Sequence, residues 1–276
     1  MKKKVNKLNV VRLVIQLIFL VISPIIFSFG FNGIKTIVTN ISSGNYSGLT
    51  TAMKLGIIIT IFTFMFGRFF CGWICAFGTY NDLLYLIGKR FIKIKNVSIE
   101  KIDKYLKLVK YIILCSILLL CAFGLGNLIY GKSPWDVFGM IIGFNFNFNG
   151  YIVGLIILIL ISIGCLFIER FFCRYLCPLG AIFSLVDRLN VFELHKPSEK
   201  CGKCRICTNE CAMGINLYKD EMVKSGECIK CYKCTSACPR RNFKVKIFDK
   251  EIKNKYIIIG VVLVIFIILS LIIGAI

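Results

Sequence analysis

The sequence predicts an α-helical integral membrane protein of about five transmembrane helices, built on a duplicated helical hairpin and carrying a cysteine-rich module between its last two spans. Three observations lead there. Of 276 residues, 57% are hydrophobic and the mean hydropathy is +0.79, far more apolar than an average soluble domain. Lysine and arginine alternate along the chain between rich and poor segments. The octet Arg-Phe-Phe-Cys-x-x-x-Cys is written twice, as "RFFCGWIC" at 68–75 and "RFFCRYLC" at 170–177.

A bilayer core about 30 Å thick asks for an apolar run of roughly 17 to 25 residues. Candidate spans lie near residues 13 to 31, 53 to 70, 111 to 130, 151 to 168 and 256 to 275. The first follows a basic start, as a signal peptide would. No small-x-small cleavage pattern stands around residues 28 to 33, and more spans follow, so it reads as a retained anchor.

The net charge of +21 invites a nucleic-acid reading, but its distribution argues otherwise. Lys and Arg number 5 in residues 1–12, 2 in 31–54, 9 in 68–110, 1 in 131–150 and 18 in 170–255. That alternation fits a multi-pass protein of the cell membrane with a cytoplasmic N-terminus and module, and its C-terminus outside. The cations then read as topology signals and contacts for membrane lipids. No recognition motif accompanies them, so nucleic acid is not an expected partner.

With that topology both octets fall at the cytoplasmic end of an inward-running span. Positions i and i+4 share a helix face, so Cys71 pairs with Cys75, and Cys173 with Cys177. Each second cysteine is followed three residues later by glycine, Gly78 and Gly180, and then by an amphipathic stretch. The pattern reads as a repeated hairpin: a span, a thiol pair and a short interfacial helix. Two repeats in one orientation suggest a pseudo-two-fold axis along the membrane normal, which would bring the four thiols together.

The most specific chemical signal lies between the fourth and fifth spans. "CGKCRICTNEC" and "CIKCYKCTSACP" both carry C-x2-C-x2-C-x3-C spacing, and the second has Pro239 after its last cysteine. This is the signature of a bacterial two-[4Fe-4S] ferredoxin-like module, in which the fourth cysteine of each run serves the other cluster. The expected ligand sets are Cys201, Cys204, Cys207 and Cys238 for one cluster, and Cys228, Cys231, Cys234 and Cys211 for the other. Zinc sites usually separate their C-x2-C pairs by a longer gap, and disulfides do not suit a reducing cytoplasm. Ala212 stands where a proline usually follows, without altering the ligand spacing. The resulting division is a membrane domain over residues 1–195, the cluster module over 196–250 and a last transmembrane helix over 251–276.

Over nearly its whole length the chain resembles the NapH/NosR-type membrane ferredoxins, polyferredoxin-like proteins that join paired membrane C-x-x-x-C(-P) motifs to a two-cluster module. The resemblance maps fully onto Cys173, Cys177 and Pro178. It maps onto only the thiols of Cys71 and Cys75, since Ala76 replaces the proline and leaves the helix break there open. It implies a membrane iron–sulphur electron-transfer protein. Electrons would pass between a cytoplasmic donor or acceptor and a membrane quinone, a flavin or an extracytoplasmic redox partner protein. Two alternatives stay open: a cluster-dependent metal (copper) handling or oxidoreductase-assembly protein, and a redox-sensing regulator. Accordingly the membrane thiols are left to a further cluster, a soft metal such as Cu(I), or a redox dithiol. Met65 is the only methionine close to either octet, which tilts the reading towards electron transfer. Nothing suggests a complete enzyme.

The remaining candidates have plainer readings. His195, the only histidine, cannot by itself make a bis-histidine haem site and reads as a junction residue. Cys115, Cys121 and Cys165 fall inside spans as packing residues. Trp135 reads as part of an outer aromatic belt. "SGLT" at 47–50 is an ordinary loop before it is a flavin attachment site. Arg68 and Arg170 are either interfacial anchors or cations acting on the thiols.

Overall fold

In the computed structural model the described residues are 7–44, 48–91, 100–129, 131–189, 192–197, 201–202, 204–218, 221–223, 225–247, 250–252 and 254–274. Helices α1 (Lys7–Ile22) and α2 (Ile26–Ser43) take up the first apolar run, but not as one rod. A 64° bend separates them at residues 23–25, where Pro24 lacks the N–H that would continue the ladder. The first candidate span is therefore two helices set at an angle.

Next come α3 (Thr51–Phe66), α4 (Phe69–Trp73) and α5 (Ala76–Phe91), then α6 (Glu100–Ala122) and the short α7 (Pro134–Ile142). The same three-helix pattern returns as α8 (Ile152–Phe167), α9 (Phe171–Tyr175) and α10 (Pro178–Val186). Stretch 102–122 of α6 is long and apolar enough to cross a membrane, and the bent α1–α2 pair passes as a unit. Helices α3 and α8 have 16 residues each, about 24 Å at 1.5 Å per residue, because each octet breaks its helix early. Their side chains Ile61, Phe64, Ile156, Ile159, Leu160 and Ile163 are exposed, as a lipid-facing surface would be.

A three-stranded antiparallel sheet follows, β1 (Phe192–His195), β2 (Lys244–Ile247) and β3 (Lys250–Ile252), in the order β1-β2-β3 with Phe192 opposite Ile247 and His195 opposite Lys244. The cysteine runs lie between β1 and β2, with the single turns α11 (Ile206–Asn209) and α12 (Lys233–Ala237). Their ends are thus pinned side by side. Lys196 is buried, and its ammonium donates to the carbonyls of Leu217 at 2.7 Å and Tyr218 at 2.9 Å. Helix α13 (Lys255–Ile272) ends the fold, its cap made by Asn254 accepting the Tyr256 N–H at 3.1 Å.

Buried ion pairs join these elements. Asp82 on α5 takes both ends of the Arg170 guanidinium, at 2.9 and 2.8 Å, together with Arg12 of α1 and the Gln16 amide at 3.1 Å. Arg12 and Gln16 also donate to the Gly72 carbonyl, at 3.0 and 3.1 Å. One carboxylate thus ties together α1, α5 and the entry to α9, and through Gly72 the chain of α4. Arg12, Arg68, Lys110, Arg170, Lys196 and Lys230 are all buried, so part of the basic excess is internal structure and not a topology signal.

Removing one partner of a buried ion pair costs about 3–5 kcal/mol because the other charge is stranded. Asp82→Ala is expected to lose stability on that scale, seen as a large fall in the thermal unfolding midpoint of detergent-solubilised protein. A midpoint within a degree or so of the wild type would contradict a structural role for this carboxylate.

Candidate iron–sulphur and thiol sites

The two octets fold alike, though not as the i,i+4 rule predicts. Cys71 and Cys173 sit within α4 and α9, whereas Cys75 and Cys177 lie just past the ends of those short helices. In both, the carbonyl of the second phenylalanine accepts twice: Phe70 from Ile74 and Cys75, and Phe172 from Leu176 and Cys177, at 2.9 to 3.0 Å. The next helix then starts immediately. Cys177 Sγ receives the Gly180 N–H at 3.1 Å, and Cys75 receives that of Gly78. Ala76 therefore supports the same break as Pro178. The glycine three residues on, with its N–H turned to the thiol, goes with the break in both halves.

This geometry brings the four thiols together. Every pair among Cys71, Cys75, Cys173 and Cys177 lies within range of mutual charge interaction. All four are buried. The arginines of the octets cross between the halves. Arg170 Nη1 donates to the Cys71 carbonyl and lies against Gly78, while an Arg68 terminal nitrogen lies against Gly180. Both arginines are fully buried, so neither is an interfacial anchor. Arg170 keeps a left-handed backbone with φ of 57°, a conformation that costs a non-glycine residue energy and that its clamped side chain holds in place.

Arg68 also reaches the cysteine module. It donates to Glu227 Oε2 at 3.0 Å and the Gly226 carbonyl at 3.2 Å, and Lys110 binds the same carboxylate at 2.5 Å. Burial would raise the Glu227 carboxyl, but the two cations beside it hold it below its ordinary range. Trp73 Nε1 donates to the Lys230 carbonyl at 3.0 Å. Between Cys71 and Cys75, Gly72 lies so close to the Ile229 carbonyl that a Cβ there would overlap it. The Cys228–Cys231 loop is therefore seated directly on the first octet.

Within the module, Cys211, Cys228, Cys231 and Cys234 line one pocket, and Cys201, Cys204, Cys207 and Cys238 line another. Each pocket gathers three cysteines of one run with the last of the other. Burial raises the Cys207, Cys228 and Cys234 thiols and pushes Cys211 up to about 12. Such thiols ionise only against a cation, releasing protons as they bind it. Among the described residues no three His, Cys, Asp or Glu side chains converge as tightly as a single metal ion needs. A cube spreads its four ligands around its corners, which suits two four-thiol pockets of this kind.

Several residues part from expectation. Trp135 is buried, with its ring 6.3 Å from Phe172 and 5.5 Å from Phe31, so it belongs to the aromatic interior and not to a surface belt. Cys165 is buried and donates to Asn81 Oδ1 at 2.9 Å, whereas Cys115 is exposed. His195 lies 3.0 Å from Glu193 Oε2 at the end of β1, consistent with a junction residue. Ser47 falls outside the described residues, and the Thr50 hydroxyl caps α3 by accepting the Met53 N–H at 3.4 Å. Sequence reading missed Asp82 and Glu227. Asp82 is the one charged residue in the apolar stretch 69–88, and Glu227 lies among Lys224, Lys230 and Lys233, which were the available signals.

Two four-thiol pockets and a paired thiol motif at a repeated helix break define the class: an iron–sulphur protein with an internally duplicated helical core. A family model described as "4Fe-4S binding domain" matches twice, over residues 50–95 and 152–197. The two matches fall on the duplicated halves. An uncharacterized protein of Methanocaldococcus jannaschii is 30% identical over 85% of this chain and 94% of its own length. The putative electron transport protein YccM of Escherichia coli is 28% identical over 74% of this chain and 58% of its own length. The ferredoxin-type protein NapH of Haemophilus influenzae is 25% identical over 70% and 67%. No solved structure matches the chain. The chain belongs to the NapH/NosR-type ferredoxin-like family of 4Fe-4S proteins.

Overpacking a tight contact costs about 1–3 kcal/mol. Gly72→Val is therefore expected to loosen the seated loop and raise amide hydrogen exchange in residues 226–231 by roughly tenfold or more. Unchanged protection there would mean that the loop is held elsewhere.

Proposed function

We propose that this chain is a multi-pass membrane electron-transfer protein. Its module exchanges electrons with a soluble protein in the cytoplasm. Its four buried thiols exchange them with a quinone, a flavin or an extracytoplasmic partner. The observation that carries this reading is the seam between Gly72 and Trp73 on one side and Ile229 and Lys230 on the other, which makes the pocket of Cys211, Cys228, Cys231 and Cys234 a neighbour of the thiol site.

The proposed ligands are Cys201, Cys204, Cys207 and Cys238 for one [4Fe-4S] cluster, and Cys211, Cys228, Cys231 and Cys234 for the other. Cys71, Cys75, Cys173 and Cys177 form the further redox or metal site. When bound, such clusters supply one-electron chemistry. The chain's own residues fix the surroundings. Arg68 and Arg170 set positive charge beside the thiols and favour a site that is anionic overall. The apolar lining of Leu194, Met213, Ile215 and Leu217 keeps water from the pocket of Cys211, Cys228, Cys231 and Cys234. In this reading α1–α2, α3, α6, α8 and α13 are the five spans, with the N-terminus and the module cytoplasmic and the C-terminus outside. Residues 1–195, 196–250 and 251–276 are its three parts. Trp135, beside Phe172, also lines a cavity of about 370 Å³ with Ile25, Asn32 and Met140, which supports access for a partner from within the membrane part.

Met65 is exposed and adds no thioether to a copper site, so the electron-transfer reading stands ahead of metal handling. Iron and acid-labile sulphide, with low-temperature EPR, decide between them. Anaerobically purified protein is compared with a variant carrying Ser at 71, 75, 173 and 177. The expected result is about eight module irons retained by both, four per [4Fe-4S] cluster, with additional iron and one EPR signal lost from the variant. Equal iron in the two would remove the third cluster and move the dithiol and copper readings forward.

A further inference from the structure

The module has two unlike faces. The contacts that seat it on the helices come from Gly214, Gly226, Glu227, Ile229, Lys230 and Lys233, all in the stretch that carries Cys211 and Cys228 to Cys234. Around the other pocket, Cys204, Arg205, Ile206, Pro239, Arg240 and Arg241 are exposed. Neither 200–209 nor 238–248 contains an acidic residue, while together they hold seven Lys and Arg. The Arg205 guanidinium is held over the Tyr218 ring at 4.4 Å and donates to its hydroxyl at 3.3 Å, so this cation is presented in a fixed position.

We infer that this face is the docking surface for a small acidic one-electron carrier protein, an inference that rests on the electron-transfer reading above. An exposed thiol ligand position, a small apolar contact in Ile206 and a basic rim are what a brief electron-transfer encounter needs. Such interfaces are small, and their charge sets the rate of encounter more than the affinity. One electron would pass from the reduced carrier to the oxidised cluster that Cys201, Cys204, Cys207 and Cys238 would hold, and no bond would be made or broken. An anionic lipid surface would satisfy the arginines. It would leave an exposed cysteine and isoleucine facing headgroups, and it would not account for the seam on the module's other side.

The test mixes full-length protein, purified anaerobically in detergent, with a pre-reduced acidic ferredoxin in a stopped-flow instrument across a salt series. Steered association falls steeply with ionic strength, so the wild-type rate constant is expected to drop by about tenfold or more from low to moderately high salt. Arg205→Glu combined with Arg240→Glu and Arg241→Glu should be at least about tenfold slower at low salt, with little salt dependence left. Lys89→Glu with Arg90→Glu, exposed at the far end of α5, should behave as wild type. Iron content and dithionite-reduced EPR establish that each variant keeps its clusters. If the triple variant loses iron, Arg241→Gln alone and the wild-type salt slope decide.

A triple variant with the wild-type rate and slope overturns the inference, as does a wild-type rate indifferent to salt. Loss of co-sedimentation with phosphatidylglycerol vesicles, with carrier kinetics unchanged, would overturn it in favour of a lipid contact. Failure of the electron-transfer reading itself is separately visible: dithionite would then find no reducible clusters in the wild type before any carrier is added.

Discussion

Two buried arginines that cross between the duplicated halves hold the rest of the structure in register. A guanidinium taken out of water must be paired and hydrogen-bonded, or it destabilises the fold by several kcal/mol. Arg170 is satisfied only if α5 supplies Asp82 and α4 supplies the Cys71 carbonyl. Arg68 reaches its carboxylate only if the module supplies Glu227. Each pairing fixes the position of a cysteine-bearing segment, so the thiol site cannot spread without exposing a buried charge.

The two halves use this device differently. Arg170 closes on a partner inside the helical core, with Arg12 drawn onto the same carboxylate. Arg68 closes on the module, with Lys110 sharing its partner. The pseudo-symmetric pair therefore performs two tasks from one motif: one arginine locks the repeat together and the other docks the module. Duplication supplied two equal positions, and the surrounding acids made them unequal.

The helical character and the duplication marked by the repeated octet were legible because each rests on local chemistry. A run of apolar residues, a fixed spacing and a glycine at a break are properties of neighbouring positions. What stayed hidden depends on contacts between distant ones. Arg12 and Lys110 look like membrane-flank cations until Asp82 and Glu227, 70 and 117 residues away, turn them inward. Trp135 looks like a belt residue until α7 carries it against Phe172. The thiols of each pair lie near one another without sharing a continuous helix, because the doubly accepting Phe70 and Phe172 carbonyls end the short helices before the second cysteine. Ala76 shows that the proline is dispensable for that break.

Gly72 ties these strands together. Any side chain there would meet the Ile229 carbonyl, and the same residue's own carbonyl is held by Arg12 and Gln16. The first octet is thereby fixed on one side by the ion network and on the other by the loop between Cys228 and Cys231. The proposed electron exchange needs short distance and little rearrangement, and a glycine held between an ion network and a backbone loop supports both. Around the pocket that holds Cys204, Arg205, Arg240 and Arg241 stay at the surface, open to the partner proposed above. A rigid inner contact and an accessible outer one are the two ends that the proposed electron path requires.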